Sequence, residues 1–275
     1  MIDTHCHIDD EIYVHDLQAV VERQRMAGVE AILVPGINIQ SIESVMHACK
    51  AFPQYLYPAL GLHPEEVNND WRDNLLQIRE AINRIGCYPK ALEGVIAIGE
   101  IGLDYYWSKE YSEEQKEAFL EQLRWAVELN LPVMVHSRNA SEDTLQLIRK
   151  VSQEAELSGK TLRGVMHCFS GSREIADAYI QMGWYLGIGG VITFKNCKLD
   201  QTLCPSDGKR KPIPLSQLLL ETDAPYMTPV PYRGKPNESR FLQYVVHKLS
   251  LTYGISENEV IELTNRASRS LFGIK

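Results

Sequence analysis

Eight short apolar runs, each followed by a longer amphipathic segment, fill a chain of 275 residues with no low-complexity tract and no Gly/Ser linker. That alternation, the count of eight and a length near the ~250 residues typical of one barrel predict an α/β chain: a single (β/α)8 TIM barrel over 1–275, with additional C-terminal helices. A doubly wound open sheet is the competing arrangement, but no GxGxxG turn follows the first run.

The strand candidates are "MID" (1–3), "EAILVPG" (30–36), "LYPALGLHP" (56–64), "GVIAIGEIG" (94–102), "LPVMVHS" (131–137), "LRGVMHCFS" (162–170), "GWYLGIGG" (183–190) and "QLLLETDAP" (217–225). Helix-like stretches lie at 16–27, 41–51, 71–85, 112–129, 141–157 and 172–182. In 112–129 Ser112 is placed to cap the helix, Glu113 and Glu114 favour its first turn, and Phe119, Leu123, Ala126 and Val127 recur at helical spacing. Residues 195–216 read as irregular. The tail from 238 reads as two further helices, separated by Gly254 and the "ISENE" capping signal.

Six scattered cysteines without a CxxC pair do not form a disulfide framework and fit a reducing cytoplasm. No secretory leader is visible and no apolar run approaches the ~18 residues of a membrane span, so a cytoplasmic location is expected. The net charge of −8 argues against bulk nucleic-acid binding. The halves differ, however: residues 1–150 carry 13 Lys+Arg against 24 Asp+Glu (−11), and 151–275 carry 15 against 12 (+3). A local anionic substrate is compatible with that asymmetry, as is a charge-balanced solvent surface.

In a barrel of this kind the active site sits where strands end. His5 and His7 follow the first run at i, i+2, a spacing that puts both imidazoles on one face of an extended segment. His63 follows the third run, Glu100 the fourth, His136 the fifth, His167 the sixth and Asp223 the eighth. Five of the eight histidines thus fall at strand ends, whereas His15, His47 and His247 fall elsewhere and read as surface or packing residues. Each strand-end residue has a bland alternative: a satisfied core histidine, a buried ion pair, a turn cap. Together they are costly to bury without a cation, and imidazole with carboxylate suits Zn, Mn, Fe, Ni or Mg in different proportions. Six ligands are too many for one tetrahedral ion and suit two divalent ions.

"IDTHCHIDD", "GLHPEEV", "IGEIGLDYYW", "MVHSRNASEDTL", "MHCFSGS", "GIGGVITFKN", "LLLETDAPYMTP" and "RGKPNES" resemble the successive signatures of TatD-type metal-dependent deoxyribonucleases, a branch of the amidohydrolase-like barrels. The resemblance runs to the final "LFGIK". It implies two divalent metal ions (Mg, Mn or Zn) and hydrolysis of DNA, single-stranded or at ends, by an exonuclease. It also implies residue roles: His5 and His7 for the first metal, Glu100 bridging both, His136 and His167 for the second. Asp223 would stand beside the first metal and the attacking water, and His63 in the substrate pocket. Two departures stand out: a long 197–214 loop, and "RGKPNES" in place of the commoner "RGKRNEP".

Arg138, Arg173 and Arg233 are expected to hold phosphates, and Tyr105, Tyr106 and Trp107 either stack on bases or cover the barrel's upper core. The alternatives are a metal-dependent amidohydrolase or lactonase acting on a small molecule, and a non-enzymatic scaffold. Glu100 at the fourth strand, where many such relatives use a modified lysine, favours the phosphodiester branch.

Overall fold

The structure, a computed structural model, describes residues 1–205 and 210–274. Its strands are β1 (Ile2–Asp3), β2 (Ala31–Pro35), β3 (Leu56–Leu60), β4 (Ala97–Asp104), β5 (Val133–Arg138), β6 (Gly164–Met166), β7 (Tyr185–Ile188) and β8 (Leu218–Leu220). They form one eight-stranded sheet in sequence order, from β1 to β8. The helices are α1 (Glu11–Val14), α2 (Leu17–Met26), α3 (Ile39–Ala51), α4 (Trp71–Ile85), α5 (Ser112–Leu129), α6 (Ser141–Leu157), α7 (Arg173–Gln181), α8 (Leu199–Leu203), α9 (Leu242–Tyr253) and α10 (Glu257–Phe272). This is a (β/α)8 TIM barrel with α9 and α10 added at its C-terminal end. Among the described residues no helix is long and apolar enough to cross a membrane.

Contacts divide the chain into two compact units, Met1–Leu33 with Cys168–Lys275, and Val34–His167. In the second unit β3 and β4 are buried along their whole length, as the unalternating apolar runs require. Helix α4 buries Trp71, Leu75, Ile78 and Ile82 on one face. Helix α5 buries Phe119, Leu123 and Ala126, but the same face carries Gln115 and Gln122. Gln122 accepts from the backbone N–H of Leu62 (2.7 Å) and donates to its carbonyl (3.2 Å), and Gln115 accepts from the N–H of Asp104 (3.0 Å). These buried amides satisfy backbone groups where β3 and β4 run out, groups that would be costly to leave unpaired.

In the first unit β1 pairs with β2 and β7 with β8, all parallel. The C-terminal pair forms as the sequence indicates: Gly254 takes the left-handed conformation that ends α9, and Ser256 caps α10 by accepting from the N–H of Glu259.

Three expectations need correction. Ser112 is the first helical residue of α5 and not its cap; Tyr111 holds that position without a side-chain bond. The stretch 195–216 is not wholly irregular, since α8 and a 3-10 turn at Leu215–Gln217 form within it. Residues 206–209, and with them Lys209 and part of the long 197–214 loop, lie outside the described residues. Finally, β4 does not stop at Gly102 but continues to Asp104, so Glu100 sits in mid-strand.

Gly102 ended the apolar run because glycine reads as punctuation, yet here it serves the strand. Its φ is +149°, and a Cβ placed on it would lie 1.9 Å from the carbonyl oxygen of His136, its partner on β5. Gly102→Ala should therefore destabilise by roughly 2–5 kcal/mol, combining backbone strain with overpacking. Urea unfolding would measure it, and a midpoint equal to wild type would show that the two strands have room to separate.

Candidate metal centre

The Val34–His167 unit gathers four of the expected residues. Between Ile98 and Ile101 β4 advances three residues while β5 advances two, from Val133 to Val135. This bulge contains Glu100. The N–H of Glu100 donates to the carbonyl of Gly36 (3.0 Å), and the carboxylate is buried. His136 Nδ1 stands 3.2 Å from Glu100 Oε1, His63 Nε2 3.6 Å and His167 Nε2 3.8 Å from the same oxygen. His167 follows directly on β6; its N–H donates to the carbonyl of Val135 (2.9 Å).

His63 lies beyond β3 as the cap of the 3-10 turn Pro64–Glu66, and its Nδ1 accepts from the N–H of Glu65 (3.2 Å). In a neutral ring that acceptance leaves the proton on Nε2. His63 accordingly presents a donor, as suits a group that meets substrate oxygen.

His136 has a partner that the sequence reading missed. Its Nε2 is 2.8 Å from Asp104 Oδ2. Asp104 is buried, and its Oδ1 accepts from the N–H of Tyr106 (2.8 Å). A carboxylate on the far nitrogen of a metal-facing imidazole fixes tautomer and ring orientation and raises ligand basicity. The signal was present in "GEIGLD", where Asp104 follows Glu100 at i+4 along one strand. Burial disfavours the charged imidazole of His136, but bonds to Asp104 and Glu100 outweigh it and raise the pKa to about 9. Burial likewise opposes ionisation of Asp104, and the bond to His136 leads the effects that pull it below the usual carboxylate range.

The other unit gathers the remaining three. β1 ends at Asp3, so His5 and His7 lie past the strand and not on it. An isolated parallel bridge pairs Cys6 with Ala224, and this extended pairing preserves the alternation that turns both imidazoles the same way. His5 Nε2 and His7 Nε2 each stand 3.8 Å from Asp223 Oδ1, and the two rings meet edge-on at 5.1 Å.

Asp223 has a φ of +56°, a conformation that Asp tolerates better than most residues. Its N–H donates to the carbonyl of His5 (2.9 Å), and the N–H of His7 donates to the carbonyl of Ala224 (2.8 Å). Below them, buried Asp3 accepts from the N–H groups of His5 (3.2 Å) and Thr222 (3.0 Å) and from the Thr222 hydroxyl (2.7 Å). Burial pushes the Asp3 carboxyl up to about 7, with these hydrogen bonds opposing it. Asn237 of "RGKPNES" clamps the same loop, donating to the carbonyls of Thr222 (2.8 Å) and Tyr226 (2.7 Å).

Do these residues fit a metal ion? Two atoms that each lie ~2.1 Å from one cation, at ligand angles of ~90–130°, are ~3.0–3.8 Å apart. The five imidazole–carboxylate separations run from 3.2 to 3.8 Å. Four of them exceed the ordinary range of a hydrogen bond, and all five lie in the range of ligands that share an ion. Donor type and spacing therefore fit divalent metal: His5, His7 and Asp223 could hold one ion, and Glu100 with His136 and either His63, whose ligand atom lies close to both, or His167 another.

A family model described as TatD related DNase matches residues 2–273. The chain belongs to this family. It is 36% identical over 274 residues to the uncharacterized metal-dependent hydrolase YabD of Bacillus subtilis, covering all of this chain and 99% of that protein. It is 30% identical over 277 residues to the 3'-5' ssDNA/RNA exonuclease TatD of Pectobacterium parmentieri, covering 99% of each. The crystal structure of the TatD homologue YJJV from Escherichia coli superposes with a TM-score of 0.85 at 32% identity, covering all of this chain and 98% of that one. This TatD-family chain is thus a metal-dependent hydrolase.

The expected substrate contacts differ in what they are free to do. Tyr105 turns its hydroxyl to Asp143 (2.9 Å), which also pairs with Lys116 (3.1 Å). Burial, with that carboxylate beside it, pushes the Tyr105 phenol up to about 12. Arg173 starts α7 and is taken up by Asp177 and by the carbonyls of Thr202 and Lys211. Arg233 is exposed; it lies over the ring of Phe194 at 4.0 Å and donates to the carbonyl of Thr228 (3.3 Å). Arg138 is exposed at the end of β5.

Asp104→Asn tests the orienting role. The amide keeps the size but cannot hold the His136 Nε2 proton with a charge, so metal affinity at the Glu100 cluster should fall ~10–100-fold. Isothermal titration with Mn or Zn would read this, and wild-type affinity would show that Asp104 does not position His136.

Proposed function

We propose that the chain hydrolyses phosphodiester bonds of DNA with two divalent ions, one in the His5–His7–Asp223 cluster and one in the Glu100–His136–His167 cluster. The observation that carries this reading is the set of imidazole–carboxylate spacings suited to shared cations, found in both clusters. A full-length likeness to a relative named as a 3'-5' ssDNA/RNA exonuclease supports the choice of bond, and supports exonuclease action. Glu100 as the fourth-strand carboxylate, where a modified lysine would point to amide or lactone substrates, favours the same choice.

When bound, such ions polarise phosphoryl oxygens and bring the pKa of a held water towards ~7. The chain's own residues do the rest. Asp223, only partly exposed and locked by the His5 carbonyl, orients the attacking water and accepts its proton. His63 offers its Nε2 proton to the developing charge on the leaving oxygen. Asp104 holds His136 in one tautomer through the reaction. Arg138 and Arg233 meet the flanking phosphates as planar donors.

Exhaustive chelation should abolish cleavage of end-labelled single-stranded DNA, and Mg, Mn or Zn should restore it. The same preparation is assayed on an amide and lactone panel. Turnover of that panel with no nuclease activity would move the reading to a small-molecule hydrolase, and unchanged cleavage after verified metal removal would sink the two-ion mechanism.

Asp223→Asn separates binding from chemistry. Asparagine retains an oxygen for coordination but loses the charge and the basicity. Metal content should stay near that of wild type while kcat falls by ~10²–10⁴, the range of a general acid–base group, with kcat/KM falling in step. Metal analysis beside single-turnover rates checks this; near-normal turnover would assign the proton to another group.

A further inference from the structure

Two large aromatic side chains stand in solvent just past the Asp104 end of β4. Tyr106 is 52% exposed and Trp107 67%, and their rings meet edge-on at 4.8 Å and 84°. The guanidinium of Arg138 lies over Tyr106 at 3.7 Å and near Trp107 at 5.4 Å. Within the same unit Arg72, Arg79, Arg124 and Arg163 are tied to carboxylates or to Asn130. The guanidinium of Arg138 forms no hydrogen bond or ion pair among the described residues, so its planar set of N–H donors is unspent.

The backbone beneath is held firmly. The N–H of Tyr105 donates to the carbonyl of Arg138 (3.0 Å), that of Tyr106 to Asp104 Oδ1 (2.8 Å), and the Tyr105 hydroxyl to Asp143. Asp104 in turn holds His136. The backbone of Tyr106 is thus tied to the same carboxylate that bonds His136, and the Trp107 ring and the Arg138 guanidinium pack against Tyr106. Exposed aromatic faces beside an uncommitted cation complement a ligand with a flat ring and an anion attached to it. A nucleotide has both, and it offers a free ring face only when its base is unpaired.

We propose that Tyr106, Trp107 and Arg138 grip one unpaired nucleobase and the phosphate beside it, and so select single-stranded over paired nucleic acid next to the cluster of Glu100, His136 and His167. The choice of a nucleic-acid ligand rests on the phosphodiesterase reading above.

The test uses three probes: a short fluorescein-labelled oligothymidylate, the same strand paired with its complement, and a strand of equal length carrying abasic residues throughout. Binding is read by anisotropy in chelator, where nothing is cut, and cleavage is read with metal restored. Tyr106→Ala and Trp107→Ala should weaken binding of oligothymidylate about 5- to 100-fold, the factor a base–aromatic stack is worth. They should leave the abasic strand unaffected and bring single-strand and duplex affinities together. Trp107→Phe should recover most of the loss. Arg138→Lys, which keeps the charge but loses the plane, should weaken oligothymidylate binding while preserving its salt dependence. In the cleavage arm KM should rise with kcat nearly unchanged.

Equal losses on the thymidylate and abasic strands, or no loss on either, would overturn the grip. If the wild-type protein cuts no strand, the phosphodiesterase reading fails while the binding arm still decides the grip. If it cuts normally and the alanine variants bind as wild type does, the grip fails and the phosphodiesterase reading stands.

Discussion

A buried carboxylate facing three imidazoles is the constraint on which the Val34–His167 unit depends. Glu100 is only 3% exposed, and His63, His136 and His167 all converge on its Oε1. An isolated charge in such a place is strongly unfavourable. The surroundings answer that cost locally. A bulge in β4 surrounds the residue, Gly102 lets β5 come close enough to deliver His136, and Asp104 takes the outer nitrogen of that imidazole. Helix α5 contributes in the same way through a polar pair on its buried face, with Gln115 and Gln122 satisfying backbone groups beside Asp104 and His63.

The Met1–Leu33 and Cys168–Lys275 unit solves a parallel problem by different means. Here the carboxylate is on a loop, and a loop must be stiffened if Asp223 is to hold one geometry. Asp3, Thr222 and Asn237 supply the stiffening through buried hydrogen bonds to backbone groups on both sides of it. The left-handed conformation of Asp223 is sustained by that network. A connected network of buried hydrogen bonds of this kind rigidifies its site.

Much of the fold and of the candidate ligand set is legible in the sequence. Helices α4, α5 and α6 occupy the stretches that periodicity marked, because a single buried face imposes the 3.6-residue repeat. The six ligand candidates were legible because their residue types are rarely buried without a partner, and each follows or lies within an apolar run. The limits of β4 were not legible: Gly102 looks like an end unless one knows that a neighbouring carbonyl occupies the space of its side chain. Arg173 looked like a phosphate clamp because nothing local shows that the carbonyls of Thr202 and Lys211 take up its donors.

The sequence by itself determined the class of fold, the family and a set of candidate metal-ligating side chains, since these depend on residue type, short-range spacing and motifs that survive in linear order. Only the tertiary structure decided which groups orient those ligands. Asp104 reaches His136 across 32 positions of chain, Gln122 reaches Leu62 across 60 and Asp3 reaches Thr222 across 219. The tertiary structure likewise decided that Tyr105 turns inward to Asp143 while Tyr106 and Trp107 remain exposed beside Arg138. The physical reason is the same in each case: a hydrogen bond or a stacked ring depends on ångström-scale proximity between segments distant in the chain, and strand pairing and helix packing set that proximity after the local patterns have been read.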